Sequence, residues 1–112
     1  MRIFHWRDGG RAIDHYGSVA FKHFPLGRSE NCARLNCLEL AAGGVIGRHP
    51  AGGPQLLVVV EGAGMVSGSD GRERPVEAGD AVFWEAGEEH ETRSDAGLLA
   101  VVLEGEAVEA SR

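Results

Sequence analysis

Short apolar runs alternate with glycine-rich and acidic turns along most of the chain, and no helical period persists. The strongest run, Gln55 to Glu61, is built almost entirely of valine and leucine between its ends, which favours a β-strand. The pattern predicts further strands over Ser18–Phe24, Arg34–Ala42, Val45–His49, Met65–Ser67, Arg74–Val76, Ala81–Trp84, His90–Arg93 and Leu98–Leu103. Short strands with turns at this spacing are typical of an all-β sandwich or barrel.

Glycine and proline punctuate these runs. Pro25 to Gly27 is expected to end one strand, Gly43-Gly44 to end another, and Gly62 to Gly64 to form a hairpin connection. Residues 1–16 are predicted to be an arm or short strand with an irregular connection. The charged, alanine-rich tail, residues 104–112, is expected to fray or to form a short helix.

Strand alternation assigns the side chains of the strongest run to two faces. If Gln55 points into a barrel, so do the residues two and four positions on, because successive side chains point to opposite faces. The other face then carries Leu56, Val58 and Val60, which are all apolar. An exposed face of this kind is an aggregation hazard, so we expect a homodimer or a crossing N-terminal arm to cover it.

Length and charge narrow the classes of function. The chain has 112 residues, enough for one domain over 1–112, and a net charge of −6 without any run of lysine and arginine. This charge argues against nucleic-acid and anionic-membrane partners. No apolar stretch resembles a signal peptide or a membrane span, so the expected location is the cytoplasm. Cys32 and Cys37 lie five residues apart in a predicted strand, which is poor geometry for a disulfide, and are interpreted as buried reduced thiols.

Two stretches each combine glycines with one histidine. The first runs from Gly43 to Gly62 and contains His49 ahead of the strongest strand. The second runs from Gly79 to Ser94, where His90 follows a turn. Together they resemble the paired signatures of the cupin superfamily, a group of small β-barrel proteins, over roughly residues 34–104.

The first cupin signature has the form G-x5-H-x-H-x3-E-x6-G. Gly43, His49 and Gly62 fall on it in register. Ala51 stands where the second histidine belongs, and Gln55 stands where the glutamate belongs.

The second cupin signature has the form G-x5-P-x-G-x2-H-x3-N. Gly79, Gly87 and His90 match it, while Glu85 replaces the proline and Ser94 replaces the asparagine. The resemblance implies a single, mostly antiparallel jelly-roll barrel with an N-terminal arm.

In cupins, the first-signature histidines and glutamate and the second-signature histidine hold a divalent metal inside the barrel. The resemblance therefore implies His49, Gln55 and His90 as candidate ligands that converge on one iron, manganese, nickel or zinc ion. Ala51 cannot ligate, and a neutral amide binds a metal more weakly than a carboxylate does. His23 is a possible substitute for the missing histidine. The same residues are equally consistent with hydrogen-bonded interior side chains and no metal.

Four further residues are candidates for other roles. Glu85 and Glu91 flank the second signature and are candidate general bases, although Glu91 alternates away from His90. Thr92 shares the face of His90 and is a candidate for ligand binding. Trp84 is either part of the core or a wall on which a ligand stacks.

Three classes of function remain open. The first is a small metal-dependent enzyme, such as a dioxygenase, isomerase or lyase, that acts on a small molecule. The second is a non-catalytic module that binds or senses a small ligand, which the two altered ligand positions favour. The third is a structural dimer with a filled interior. Fold alone does not choose between them.

Overall fold

Eight β-strands and one short 3₁₀ turn form the regular structure of the computed structural model, which describes residues 1–112. The strands are β1 (Arg11–Ile13), β2 (Val19–Arg28), β3 (Arg34–Pro50), β4 (Gln55–Ser67), β5 (Arg74–Glu77), β6 (Ala81–Trp84), β7 (Glu89–Ser94) and β8 (Leu98–Glu104). The 3₁₀ turn, His15–Gly17, connects β1 to β2. No helix has the length and apolar character that crossing a membrane requires.

Two long strands close the sheet into a barrel. The first part of β3 pairs with β8 and its last part pairs with β7. In the same way, β4 pairs first with β8 and then with β7. Because all of these pairings are antiparallel and each long strand joins both partners, the prediction of an all-β, antiparallel jelly-roll barrel is confirmed.

Three predicted strand ends are wrong because the chain bends there and continues. Gly43 and Gly62 have φ angles of 78° and 82°, a backbone region open to glycine at little steric cost. They lie at the points where β3 and β4 change partners, so these glycines form barrel corners. The segment Pro25–Gly27 lies within β2, where the register to β3 shifts, as at a β-bulge.

The alternation predicted for β4 matches the observed burial. Leu57 and Val59 are 2% and 1% exposed and belong to the hydrophobic core, whereas Val58 and Val60 are 37% and 48% exposed. The inner face of β4 therefore builds the core and lines the interior. Its outer face remains open to solvent.

The N-terminal arm does not cover this outer face. The edge of Trp6 packs against Phe24 with ring centroids 5.1 Å apart, and Arg7 forms a 2.7 Å ion pair with Glu39. Ahead of these anchors, Ile3 and Phe4 are exposed. The arm is thus attached beside β2 and β3, and the exposed valines of β4 stay uncovered.

The C-terminal tail and the two cysteines can also be compared with the sequence predictions. Residues 105–112 contain a turn and irregular backbone without a helix. Cys37 is buried, as interpreted from the sequence, but Cys32 is exposed, and both are free thiols. The exposed position of Cys32 follows from its place in the loop before β3, where it adopts a positive φ of 62°.

Candidate functional site

A cavity of about 300 Å³ occupies the barrel interior. This volume is at the lower end of the range for small-molecule pockets. Aromatic and imidazole rings border one part of it, and polar side chains from β1, β2 and β3 border another. The cavity is therefore large enough for a small organic molecule.

Two histidines form the centre of the ring-lined part. His49 and His90 are direct partners in the β3–β7 pairing, so their side chains project from adjacent strands on the same face. Their ring centroids lie 4.4 Å apart. His90 is 4% exposed, and burial lowers its pKa below the usual value. At neutral pH, His90 is therefore an uncharged imidazole.

Backbone carbonyls select the tautomer that each neutral ring adopts. The Nδ1 atom of His49 lies 2.7 Å from the Gly47 carbonyl oxygen, and that of His90 lies 3.1 Å from the Glu88 carbonyl oxygen. Because a carbonyl oxygen only accepts, Nδ1 donates in each neutral ring and Nε2 is left as an acceptor. Each Nε2 has no partner in the protein and remains accessible. The cavity thus offers two adjacent acceptors to a ligand.

Tyr16 and Trp84 extend the histidine pair into a run of four rings. Tyr16 stacks on His49 with centroids 4.6 Å apart and an interplanar angle of 9°. Trp84 lies against His90 at 4.7 Å and donates from its indole nitrogen to the Ser67 carbonyl oxygen. We call Tyr16, His49, His90 and Trp84 the ring wall. Planar surfaces of this kind suit a flat, unsaturated molecule.

Tyr16 was not a candidate from the sequence, because it belongs to a segment interpreted only as an arm or connection. It sits in the 3₁₀ turn with a positive φ of 58°. The turn lies directly over β3 at Gly47, whose backbone N–H donates to the Ser18 hydroxyl at 2.9 Å. The only tyrosine of the chain, ahead of a glycine, was the available signal.

Gln55 lies in the cavity wall, but its amide is already used. Its Nε2 donates to a carboxylate oxygen of Glu104 at 3.1 Å, and the other oxygen of Glu104 lies 3.4 Å from Arg34. Glu104 follows the last apolar run and alternates with Ala100 and Val102, which are buried. That period of two was the signal that Glu104 points inward.

Five of the seven predicted site residues line the one cavity: His49, Gln55, Trp84, His90 and Thr92. Glu85 and Glu91 are not among its lining residues. Glu85 is exposed in the turn before β7, and Glu91 alternates with the buried His90 and Thr92. Strand alternation thus turns Glu91 away from the interior, and the exposed turn keeps Glu85 outside it.

The donor set does not fit a divalent metal held by the protein alone. His49 and His90 supply two adjacent nitrogens, but the third candidate is the neutral amide of Gln55, which Glu104 engages. No three histidine, cysteine, aspartate or glutamate side chains are grouped so that they could hold a metal ion. Ala51, at the position of the missing histidine, is 3% exposed and bonds through its backbone to Gly87 and Glu88.

A closed antiparallel barrel with a lined interior cavity defines a class of small β-barrel proteins with many functions. The family model described as a cupin domain matches residues 37–104. This match covers more than half of the chain, and the chain belongs to the cupin family. No protein of curated function matches its sequence.

Solved structures with the same fold share little sequence with this chain. A predicted oxalate decarboxylase from Thermotoga maritima has 21% identity and a TM-score of 0.82, covering 95% of this chain and 100% of that one. The polyketide cyclase RemF from Streptomyces resistomycificus has 19% identity and a TM-score of 0.81, covering 99% and 88%. KdgF from Halomonas sp. has 19% identity and a TM-score of 0.67, covering 79% and 81%. At these identities, the likeness shows the fold alone.

Proposed function

We propose that this chain binds a small, planar organic molecule inside the barrel, against the ring wall and without a resident metal. The observation that carries the proposal is the run of four rings along a cavity of about 300 Å³, with the two accessible Nε2 acceptors at its centre. The ring wall provides aromatic contact surface, and the imidazoles accept hydrogen bonds from hydroxyl or N–H groups of the ligand.

The polyketide cyclase among the structural neighbours shows that this fold can serve a protein that acts on an organic molecule. It acts, by its name, on a polyketide, and its fold aligns with 99% of this chain. Binding is the function that the ring wall supports directly. Catalysis by Glu85 or Glu91 stays a prediction without support from the cavity lining.

Fluorescence of Trp84 provides a direct test. The chain has two tryptophans, so a Trp6→Phe background leaves Trp84 as the only emitter. We expect 4-nitrophenol, which does not fluoresce, to quench Trp84, and 2-naphthol and indole to give saturable heat in titration calorimetry. In that background, Tyr16→Ala should weaken binding about two- to twelvefold, the equivalent of about 0.5–1.5 kcal/mol of stacking. Phe4→Ala, an exposed aromatic on the arm, is the matched control and should change nothing.

Two results would contradict the proposal. One is the absence of saturable binding by any planar probe to protein that circular dichroism shows to be folded. The other is binding that Tyr16→Ala and Phe4→Ala weaken equally, since the ring wall would then contribute nothing.

A metal-dependent dioxygenase, isomerase or lyase that uses His49, Gln55 and His90 is the second candidate. One observation favours it: both imidazoles hold Nδ1 against a carbonyl oxygen, as metal-binding histidines commonly do. Metal analysis of protein purified without an affinity tag, and titration with iron(II), manganese, nickel and zinc, separates the two candidates. Stoichiometric metal that survives dialysis would favour the enzyme.

We also propose that the chain forms a homodimer in the cytoplasm. The outer face of β4 and its neighbours leaves Leu35, Val58, Val60 and Leu103 exposed by between 36% and 48%. Facing copies of one apolar patch can cover each other around a twofold axis. This supports a dimer through that sheet face.

A further inference from the structure

Polar side chains without protein partners lie at the part of the cavity formed by β1, β2 and β3. Asn36 is 5% exposed and lines the cavity, and its amide makes no hydrogen bond within the protein. His23 also lines the cavity, and its Nδ1 is the one buried side-chain polar atom without a partner. Buried polar groups are hydrogen-bonded in most folded proteins, so the unpaired amide of Asn36 indicates a place for a ligand or water, whereas Nδ1 of His23 is sealed from both.

The exposed guanidinium of Arg11 is the positive group at this part of the cavity, although the whole chain is acidic. Arg11 lines the cavity beside His23, its direct partner in the β1–β2 pairing, and forms no ion pair with any carboxylate. Glu104 is the only carboxylate in the lining, and it already receives Gln55 and Arg34. Within the lining, Arg11 and Glu104 carry opposite charges, and Arg34, outside the lining, pairs with Glu104, so the guanidinium of Arg11 is left without an ion-pair partner in a chain with a net charge of −6.

The imidazole ring of His23 is uncharged and can donate a hydrogen bond. Burial, followed by the charge of Arg11, lowers the pKa of His23, so the ring is uncharged at neutral pH. The Nδ1 atom of His23 is buried and has no hydrogen-bond partner. A proton on Nδ1 would therefore be an unpaired donor, so the single ring proton is more stable on Nε2. An N–H group of His23 can then point to the cavity.

We propose that Arg11, His23 and Asn36 form an anion-binding end of the cavity that takes the carboxylate of a small planar organic acid. The acid lies with its flat body against the ring wall and its charged group toward β1 and β2. Guanidinium, amide and imidazole N–H groups are all donors, and a carboxylate accepts from several donors at once. This proposal rests on the proposed function and adds the chemical class of its ligand.

Matched acid and amide probes test the charge directly. Titration calorimetry at pH 7.5 compares 2-naphthoate with 2-naphthamide, which share shape and aromatic surface but differ in charge. We expect the acid to bind at least about tenfold more tightly, as charge-assisted hydrogen bonds require. Arg11→Gln should remove about tenfold of affinity for the acid and should leave the amide within about twofold.

Two further variants complete the experiment. Asn36→Asp keeps the shape of the side chain, adds a negative charge and should abolish the preference for the acid. Arg28→Gln removes an exposed arginine of β2 outside the cavity lining and should leave both affinities unchanged. If the loss of any positive charge weakened binding of the acid, Arg11→Gln and Arg28→Gln would weaken it equally.

The outcomes separate this inference from the proposed function. Equal affinity for acid and amide, unchanged by Arg11→Gln and Asn36→Asp, would overturn the anion-binding end while the ring wall remains a binding site. An equal loss with Arg11→Gln and Arg28→Gln would also overturn it. If neither probe binds to folded protein, both proposals fail.

Discussion

Gly47 is the point at which the turn that carries Tyr16 rests on the barrel. A methyl group at this position would overlap the carbonyl oxygen and carbon of Tyr16, which are backbone atoms and have little freedom to move aside. Gly47 has an ordinary negative φ, so alanine is disfavoured there by steric overlap and not by backbone conformation. Gly47→Ala should therefore push the turn His15–Gly17 outward and separate Tyr16 from His49.

The cost of this substitution can be worked from its parts. Overpacking of a close contact costs about 1–3 kcal/mol. Loss of the hydrogen bond from the Gly47 N–H to the Ser18 hydroxyl adds about 0.5–1.5 kcal/mol. Replacement of glycine by alanine restricts the unfolded chain and offsets about 0.4–1 kcal/mol. The free energy of unfolding should consequently fall by about 0.5–4 kcal/mol.

Urea denaturation followed by tryptophan fluorescence measures this loss, and the binding of 2-naphthol measures its effect on the site. Gly27→Ala is the matched control, because Gly27 also lies in a strand with a negative φ and nothing lies within 4 Å of an added methyl group. It should leave stability unchanged or raise it slightly. In binding, Gly47→Ala should weaken 2-naphthol as much as Tyr16→Ala does. If Gly47→Ala is as stable as Gly27→Ala, the contact between the turn and β3 is not what the structure indicates.

Three further predictions concern pH, metal and assembly. Burial lowers the pKa of His23 and His90 below 6.5, so the unfolded chain takes up protons first as pH falls. The free energy of unfolding should be constant above about pH 7 and should fall below about pH 6.5, by at most about 1.4 kcal/mol per pH unit for each histidine. In urea denaturation, His23→Gln should remove the part of this pH dependence that His23 contributes. Gln55→Glu places a second carboxylate beside Glu104, so it should lower the Tm measured in the presence of chelator. If zinc or manganese restores the Tm, the barrel contains a latent metal site. If neither metal restores it, the barrel contains no such site. Val58→Lys should convert a dimer to a monomer in light scattering, whereas a parent protein that is already monomeric at high micromolar concentration would refute the dimer.

The fold was predictable where local pattern and tertiary role agree. In β4, alternation alone separates the buried Leu57 and Val59 from the exposed Val58 and Val60. The glycine corners were not predictable in the same way. A glycine with positive φ can either end a strand or bend a strand that continues. The pairing with neighbouring strands decides between these two outcomes. At Gly43 and Gly62 the partners change from β8 to β7, which no local window contains.

The site was predictable for residues within the two signatures and not beyond them. His49 and His90 meet because β3 and β7 pair, and spacing within each signature located both. Tyr16 and Asn36 come from segments outside the signatures, and their place in the cavity depends on how β2 and β3 fold over it. Long-range pairing therefore hides the polar part of the cavity from sequence patterns.

The altered ligand positions gain a physical meaning from the pairing of β4 with β8. Gln55 and Glu104 are direct partners across these strands, so the interior still contains a carboxylate although position 55 is neutral. That carboxylate is not free for a metal, because Gln55 donates to one oxygen and Arg34 lies 3.4 Å from the other. With Glu104 neutralised by Arg34, the remaining charge in the lining is that of Arg11. A positive ion would gain little here, whereas a negative group on a flat molecule would meet unpaired donors at one end and the ring wall at the other.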